Sequence, residues 1–292
     1  MKCIFSVDVE DWFHILDVPS APDFCTWDSL PPRVEANFGR LLEMFAERQV
    51  GATCFFLGWV AQKFPHLVRE ADRRGHEVAS HGYSHQLAYR MTPQSFYEDA
   101  LASKQIIEDI VGHAIAGYRC AGFSATEKTP WFFDKLIEAG YSYDSSVFPG
   151  PRGHGGMDNG RCAPYRVGGP SQGLVEFPIT TVKLLGIPLC LFGGGYLRLF
   201  PSFLIESAAR KVLREGRPVI FYVHPREIDP RHPRLPMSVG RSFKSYVNLE
   251  TTEAKIRRIL FEFDMTTFKA WIEEHAGLLD FTDRELEADS AD

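Results

Sequence analysis

Apolar positions punctuate this chain at two alternating periods. Residues 2–9 are apolar on both alternations (Cys3, Phe5 and Val7 on one, Ile4 on the other), which predicts a strand buried on two faces in a parallel sheet. A proline-rich loop follows (Pro19, Pro22, Pro31, Pro32). Val34, Phe38, Leu41, Leu42 and Phe45 then recur at helical spacing until Gly51. The same rhythm repeats. Strands are expected over 52–57, 76–80, 116–120, 141–146 and 175–181. Helices are expected over 60–74 (stopped by Gly75), from Thr92-Pro93 to 111, and from Thr129-Pro130 to about 140. Residues 149–173 are rich in Gly and Pro and read as a long loop or lid, and Gly193-Gly194-Gly195 reads as a turn. A helix over 201–215 leads into 218–224, the most continuous buried strand. A basic, proline-containing loop to 245 and a helical region over 251–275 follow. Strand and helix alternate without a linker. This predicts one α/β domain over residues 1–277, with a closed barrel matching the length, and an acidic, frayed tail over 278–292.

Composition narrows the function classes. The 292 residues are 45% hydrophobic and carry a net charge of −6, with no basic face for nucleic acid. No run approaches the roughly 18 apolar residues of a membrane span, and acids follow the first short apolar run, unlike a signal peptide; a cytoplasmic protein is expected. The six cysteines lack metal-knuckle spacing and read as reduced thiols.

Chemistry gathers where the strands end. Asp8, His81, Arg119, Asp144 and His224 each close a predicted strand, the position at which barrel folds of this class place reactive groups. Asp8, Glu10 and Asp11 put three acids within four residues, which repel unless a cation or shared proton compensates. His81 and His85 lie four apart around Gly82. Two imidazoles and one carboxylate would hold a divalent cation, zinc by donor type, with a coordination position left open. A second carboxylate of the cluster would serve as base and His224 as acid, with Arg119 and Asp144 holding them. Strand alternation puts Glu10 on the side of Asp8. Trp12, His14, Tyr83 and Phe123 are candidate substrate contacts, and His76 reads as structural.

These residues carry a resemblance. The segment from Gly75 to His85 resembles the second motif of the NodB-type polysaccharide deacetylases, carbohydrate esterase family four. Asp8-Val9-Glu10-Asp11 resembles the first motif, Tyr118-Arg119 the third, Tyr143-Asp144-Ser145-Ser146 the fourth and Phe221-Tyr222-Val223-His224 the fifth. Phe192 to Tyr196, His224 to Pro230 and Tyr246 to Leu249 are similar to segments of an exopolysaccharide-locus subgroup with a C-terminal extension. The resemblance implies a distorted (β/α)7 barrel and removal of an N- or O-linked acyl group from a sugar; together with the expected lack of an export signal, it points to an acylated amino-sugar precursor, lipid- or nucleotide-linked, as the expected substrate. It implies Asp8 as base, His224 as acid, Arg119 as orienting arginine, and His81 and His85 as ligands of a divalent metal. By residue type Asp11 would be the third ligand, with Glu10 as the alternative. Deformylation of an aminosugar, hydrolysis of another C–N bond, and a non-catalytic saccharide-binding role are the competing readings.

Overall fold

The computed structural model describes residues 2–150, 155–157, 161–168, 173–184 and 187–279. Strand β1 (Cys3–Val9) is buried along its whole length. It pairs parallel with β2 (Thr53–Phe56), and the ladder continues through β3 (Glu77–Ser80), β4 (Gly117–Tyr118) and β5 (Tyr143–Asp144). Beyond β5, the strand β6 (Tyr165–Val167) pairs antiparallel with β7 (Leu174–Glu176), and β7 joins β5 in parallel. The hairpin of β8 (Val182–Leu184) and β9 (Ile187–Leu189) forms a separate ladder. On the other side of β1, both β10 (Ile220–Val223) and β11 (Met265–Thr266) pair with it in parallel. The order β10-β1-β2-β3-β4-β5-β7-β6 is that of an α/β sheet. Among the described residues no strand pairing joins β6 to β10; the outer edge of β10 instead meets Gly193 through a single parallel bridge at Tyr222.

Alternation along the strands explains the two-sided burial. Phe5, Cys54, Phe56, Val78 and Phe221 pack in the larger core cluster under the helices. Their neighbours Ile4, Phe55, Ala79, Tyr143 and Ile220 pack in a second cluster on the opposite face. Helix α1 (Val34–Arg48) buries the five apolar residues that predict it. The helix expected over 60–74 is two, α2 (Gly58–Lys63) and α3 (Pro65–Arg73), because Pro65 has no N–H to continue the first and instead opens the second. Thr92 and Ser95 cap α4 (Pro93–Val111) reciprocally, and α5 (Phe132–Glu138) follows.

The second half departs further from the expected pattern. The triple glycine is not a simple turn but opens α6 (Gly194–Leu199), which precedes α7 (Ser202–Arg214). A helix, α8 (Val239–Tyr246), stands inside the segment expected to be loop. The helical region over 251–275 divides into α9 (Leu249–Glu262), strand β11 and α10 (Phe268–His275). The acidic segment from 280 onward and parts of 149–173 lie outside the described residues.

Candidate metal and catalytic site

Two imidazoles reach the site through a bent loop after β3. Gly82 takes φ +71°, where a Cβ would come within 2.9 Å of an Asp99 oxygen. Asp99, on α4, accepts hydrogen bonds from the backbone N–H of Tyr83 at 2.7 Å and of Ser84 at 3.0 Å. His85 itself sits at φ +55°, a conformation that costs a non-glycine residue free energy and that the surrounding loop must hold. His81 donates from Nδ1 to the Arg119 carbonyl at 2.8 Å, which leaves Nε2 as a lone-pair donor to a cation. Burial lowers the His81 pKa to about 4, against the opposing charge of Asp8, so the ring is neutral at pH 7, as ligation requires.

Glu10, His81 and His85 are all buried, and their donor atoms lie within 4.8 Å of one another. His85 Nε2 is 2.6 Å from Glu10 Oε2, yet that oxygen has no hydrogen-bond partner. The Glu10 carboxyl is lowered: burial would raise it, but the charges of His85 and then His224 outweigh burial. An ionised carboxylate and two imidazoles converging on one point fit a divalent cation, and the donor set suits zinc. Asp11 does not join them, which corrects the choice made on residue type. Its Oδ2 accepts from the backbone N–H of Arg33 at 2.8 Å and Val34 at 3.0 Å, and its Oδ1 from Trp12 N–H at 2.7 Å. It thus caps the N-terminus of α1 from 22 residues away, satisfying donors that the helix itself cannot.

Asp8 and His224 adjoin this cluster and each other. Arg119, fully buried, donates from Nη1 to Asp8 Oδ1 at 2.7 Å and to Ser6 Oγ at 2.9 Å. Its Nε and Nη2 are bound to the Ser145 carbonyl and hydroxyl, and its guanidinium lies 4.2 Å from the centre of the Phe55 ring. Oδ1 of Asp8 is therefore committed. Oδ2 faces His224 Nε2 at 3.8 Å, and the same nitrogen is 3.6 Å from Glu10 Oε1. The pKa of His224 is raised: burial opposes the charge, but Glu10, the Glu227 hydrogen bond and Asp8 together favour it.

The partner of His224 is Glu227, not Asp144. His224 Nδ1 donates to Glu227 Oε1 at 2.6 Å across the tight turn Pro225–Ile228. Asp144 instead accepts from Ser146 Oγ at 2.5 Å and Ser146 N–H at 3.1 Å, and it shares a hydrogen bond with Glu176. Burial raises both of those carboxyls. The substrate-contact candidates divide. Trp12 donates to the Pro31 carbonyl at 3.1 Å and is buried. His14 is also buried, its ring 4.2 Å from that of Trp27, its Nδ1 accepting from Asp11 N–H at 2.9 Å. Phe123 packs edge-on to Tyr222 at 5.1 Å. Tyr83 is partly exposed and donates to Gln62 Oε1 at 2.8 Å.

Residues 21–143 match the family described as polysaccharide deacetylase. The chain carries a polysaccharide deacetylase domain. Residues 145–273 match a domain of unknown function, DUF3473. The peptidoglycan deacetylase of Helicobacter pylori is 31% identical over 113 residues, 39% of this chain and 38% of that protein, so this match spans well under half of each. The polysaccharide deacetylase structure from Mycobacterium smegmatis superposes with a TM-score of 0.62 at 20% identity, covering 95% of this chain and 91% of that one. That from Pseudomonas aeruginosa gives 0.60 at 18%, covering 94% and 91%. The deacetylase match contains His81, His85 and Arg119, whereas Asp8 and Glu10 precede it and His224 lies in the second matched region.

Sequence reasoning missed Asp99 and Glu227. Only Glu227 had a readable signal, an acid three residues beyond the strand-end histidine, where a turn opened by Pro225 brings it back.

Proposed function

We propose that the protein hydrolyses an acetyl group, N- or O-linked, from a saccharide or saccharide precursor of surface polysaccharide synthesis, with a divalent cation, zinc by donor type, held by Glu10, His81 and His85. The substrate class rests on the deacetylase match and on the peptidoglycan-deacetylase relative; the exopolysaccharide assignment rests on the resemblance of Phe192 to Tyr196, His224 to Pro230 and Tyr246 to Leu249 to that subgroup. The observation that carries the reaction type is the convergence of Asp8 and His224 beside a buried Glu10–His81–His85 cluster, with His224 Nε2 3.8 Å from Asp8 Oδ2 and 3.6 Å from Glu10 Oε1.

Bound there, the cation would polarise the acyl carbonyl and acidify a water. Asp8, with Oδ1 fixed by Arg119, accepts that water's proton on Oδ2 as its oxygen adds to the carbonyl carbon. His224, protonated on both nitrogens and held through Nδ1 by Glu227, delivers the Nε2 proton to the departing nitrogen or oxygen. The C–N or C–O bond breaks, leaving acetate and the free amine or alcohol.

The test is release of acetate from acetylated amino-sugar oligosaccharides and their lipid- and nucleotide-linked forms, followed by mass spectrometry. Loss on chelation, and recovery with zinc, is the expected result. A mass change of one formyl group would reassign the acyl group. Saccharide binding without any release from the metal-loaded protein would favour a non-catalytic role.

A further inference from the structure

We infer that Arg198 and Glu227 form a positioning pair for His224, and that the helices of the second matched region exist in part to hold it. The inference rests on the proposed role of His224 as the acid. Glu227 and Arg198 are both almost fully buried and are joined through Arg198 Nη1 and Glu227 Oε2, while the other Glu227 oxygen receives His224 Nδ1. Burial alone would raise the Glu227 carboxyl; Arg198, and then His224, hold it at about 2. An ionised carboxylate on Nδ1 fixes which ring nitrogen keeps its proton and which faces Asp8.

The rest of the guanidinium is tied to one element. Arg198 Nη2 donates to the carbonyls of Lys244 at 2.7 Å and Ser245 at 3.2 Å, and Nε to that of Val247 at 3.1 Å. These are carbonyls at the C-terminal end of α8, which have no partner within their own helix. From α9 and its start, Lys255 Nζ donates to the Phe200 carbonyl at 2.8 Å, and Asn248 Nδ2 to the Arg198 carbonyl at 3.1 Å, anchoring α6. The glycines that open α6 let it sit close. A Cβ on Gly193 would lie 2.1 Å from the Tyr222 ring, and one on Gly195 would lie 2.9 Å from the Lys244 carbonyl. Tyr222 is two residues before His224. Thus α6 is wedged between β10 and α8, and its arginine reaches the carboxylate that aims the imidazole.

The experiment uses the full zinc-loaded chain and four variants: Glu227→Gln, Glu227→Asp, Arg198→Lys and the double Glu227→Gln/Arg198→Lys. Glu227→Gln should lower kcat about 10- to 100-fold with KM within twofold and zinc stoichiometry unchanged, and Glu227→Asp should recover part of the loss. Arg198→Lys should show the same split, smaller, and the double variant should be no worse than Glu227→Gln alone, since both act through one carboxylate. Long-range nitrogen NMR of His224 reads the pair without turnover: the downfield Nδ1 proton of the parent should shift or vanish in Glu227→Gln. Unchanged kcat, an unchanged Nδ1 signal, or additive losses in the double variant would overturn the inference. If the parent hydrolyses none of the acylated saccharides, the proposed function fails, while the NMR signature still decides whether the pair holds His224.

Discussion

Two groups of buried acids lie at different strand ends and carry charge in opposite ways. At the end of β1, Asp8 and Glu10 face Arg119, His81, His85 and His224. There the Glu10 carboxyl is lowered despite complete burial, because neighbouring cations outweigh desolvation. At β5 and β7, Asp144 and Glu176 are equally buried but meet serine hydroxyls and backbone N–H groups, and both carboxyls are raised. Residue type and burial are the same, so the counter-charge decides. The first group suits a cation and proton transfer; the second keeps a proton and holds up the wall behind Ser145 and Ser146.

The largest effect should come from emptying the first group. His81→Ala should abolish zinc binding and lower turnover on the order of 10³-fold or more, checked by metal content and acetate release. Asp8→Asn should keep the metal and lose about 10²- to 10⁴-fold in kcat. Arg119→Met should leave Asp8 buried without its cation. A loss of about 3 to 5 kcal/mol is expected in denaturant titration. Asp11 separates from its neighbour at a smaller scale: Asp11→Ala should retain zinc and lose about 1 to 2 kcal/mol as a missing cap, whereas Glu10→Gln should lose zinc. Zinc loss in Asp11→Ala with retention in Glu10→Gln would reverse the assignment.

The second group gives an effect that appears only as a function of pH, with a defined sign. Unfolded carboxyls release their protons near pH 4, whereas this folded pair holds one to higher pH. The native state then binds more protons than the unfolded one. The pair's contribution is therefore greatest at low pH and declines as pH rises above about 4 through the raised values. Glu176→Gln should remove that decline, gaining on the order of 1 to 3 kcal/mol more at pH 8 than at pH 4 relative to the parent, by chemical denaturation at each pH. An equal effect at both pH values would show that the pair shares no proton.

The first group was largely legible in the sequence, because strand alternation and two histidines at fixed spacing are local signals. Asp8, His81, His85, Arg119 and His224 do come together as the strand ends predict. The choice between Glu10 and Asp11 was not legible from residue type. It depends on the loop over 13–32 folding back so that the N-terminus of α1 takes the Asp11 carboxylate, a long-range event that no short pattern encodes. For the same reason the Asp144 role was misplaced: Glu176 and Glu227, which decide what Asp144 and His224 touch, lie in the half where helices interrupt the expected loop. The triple glycine was visible, but its purpose depends on a ring and a carbonyl supplied 27 and 49 residues later, at Tyr222 and Lys244.

Strand β11 and helix α10 give the molecule a timetable. Met265 and Thr266 pair with Cys3 and Ile4, and Phe268 lies under the Arg119 guanidinium at 5.7 Å. A ribosome adding about 5 to 20 residues per second needs roughly 13 to 50 seconds to travel from one side of that ladder to the other. During that interval the arginine that secures Asp8 lacks part of its floor. The site around Asp8 therefore completes late in synthesis, after the segments carrying Asp8, His81 and Arg119 have already emerged.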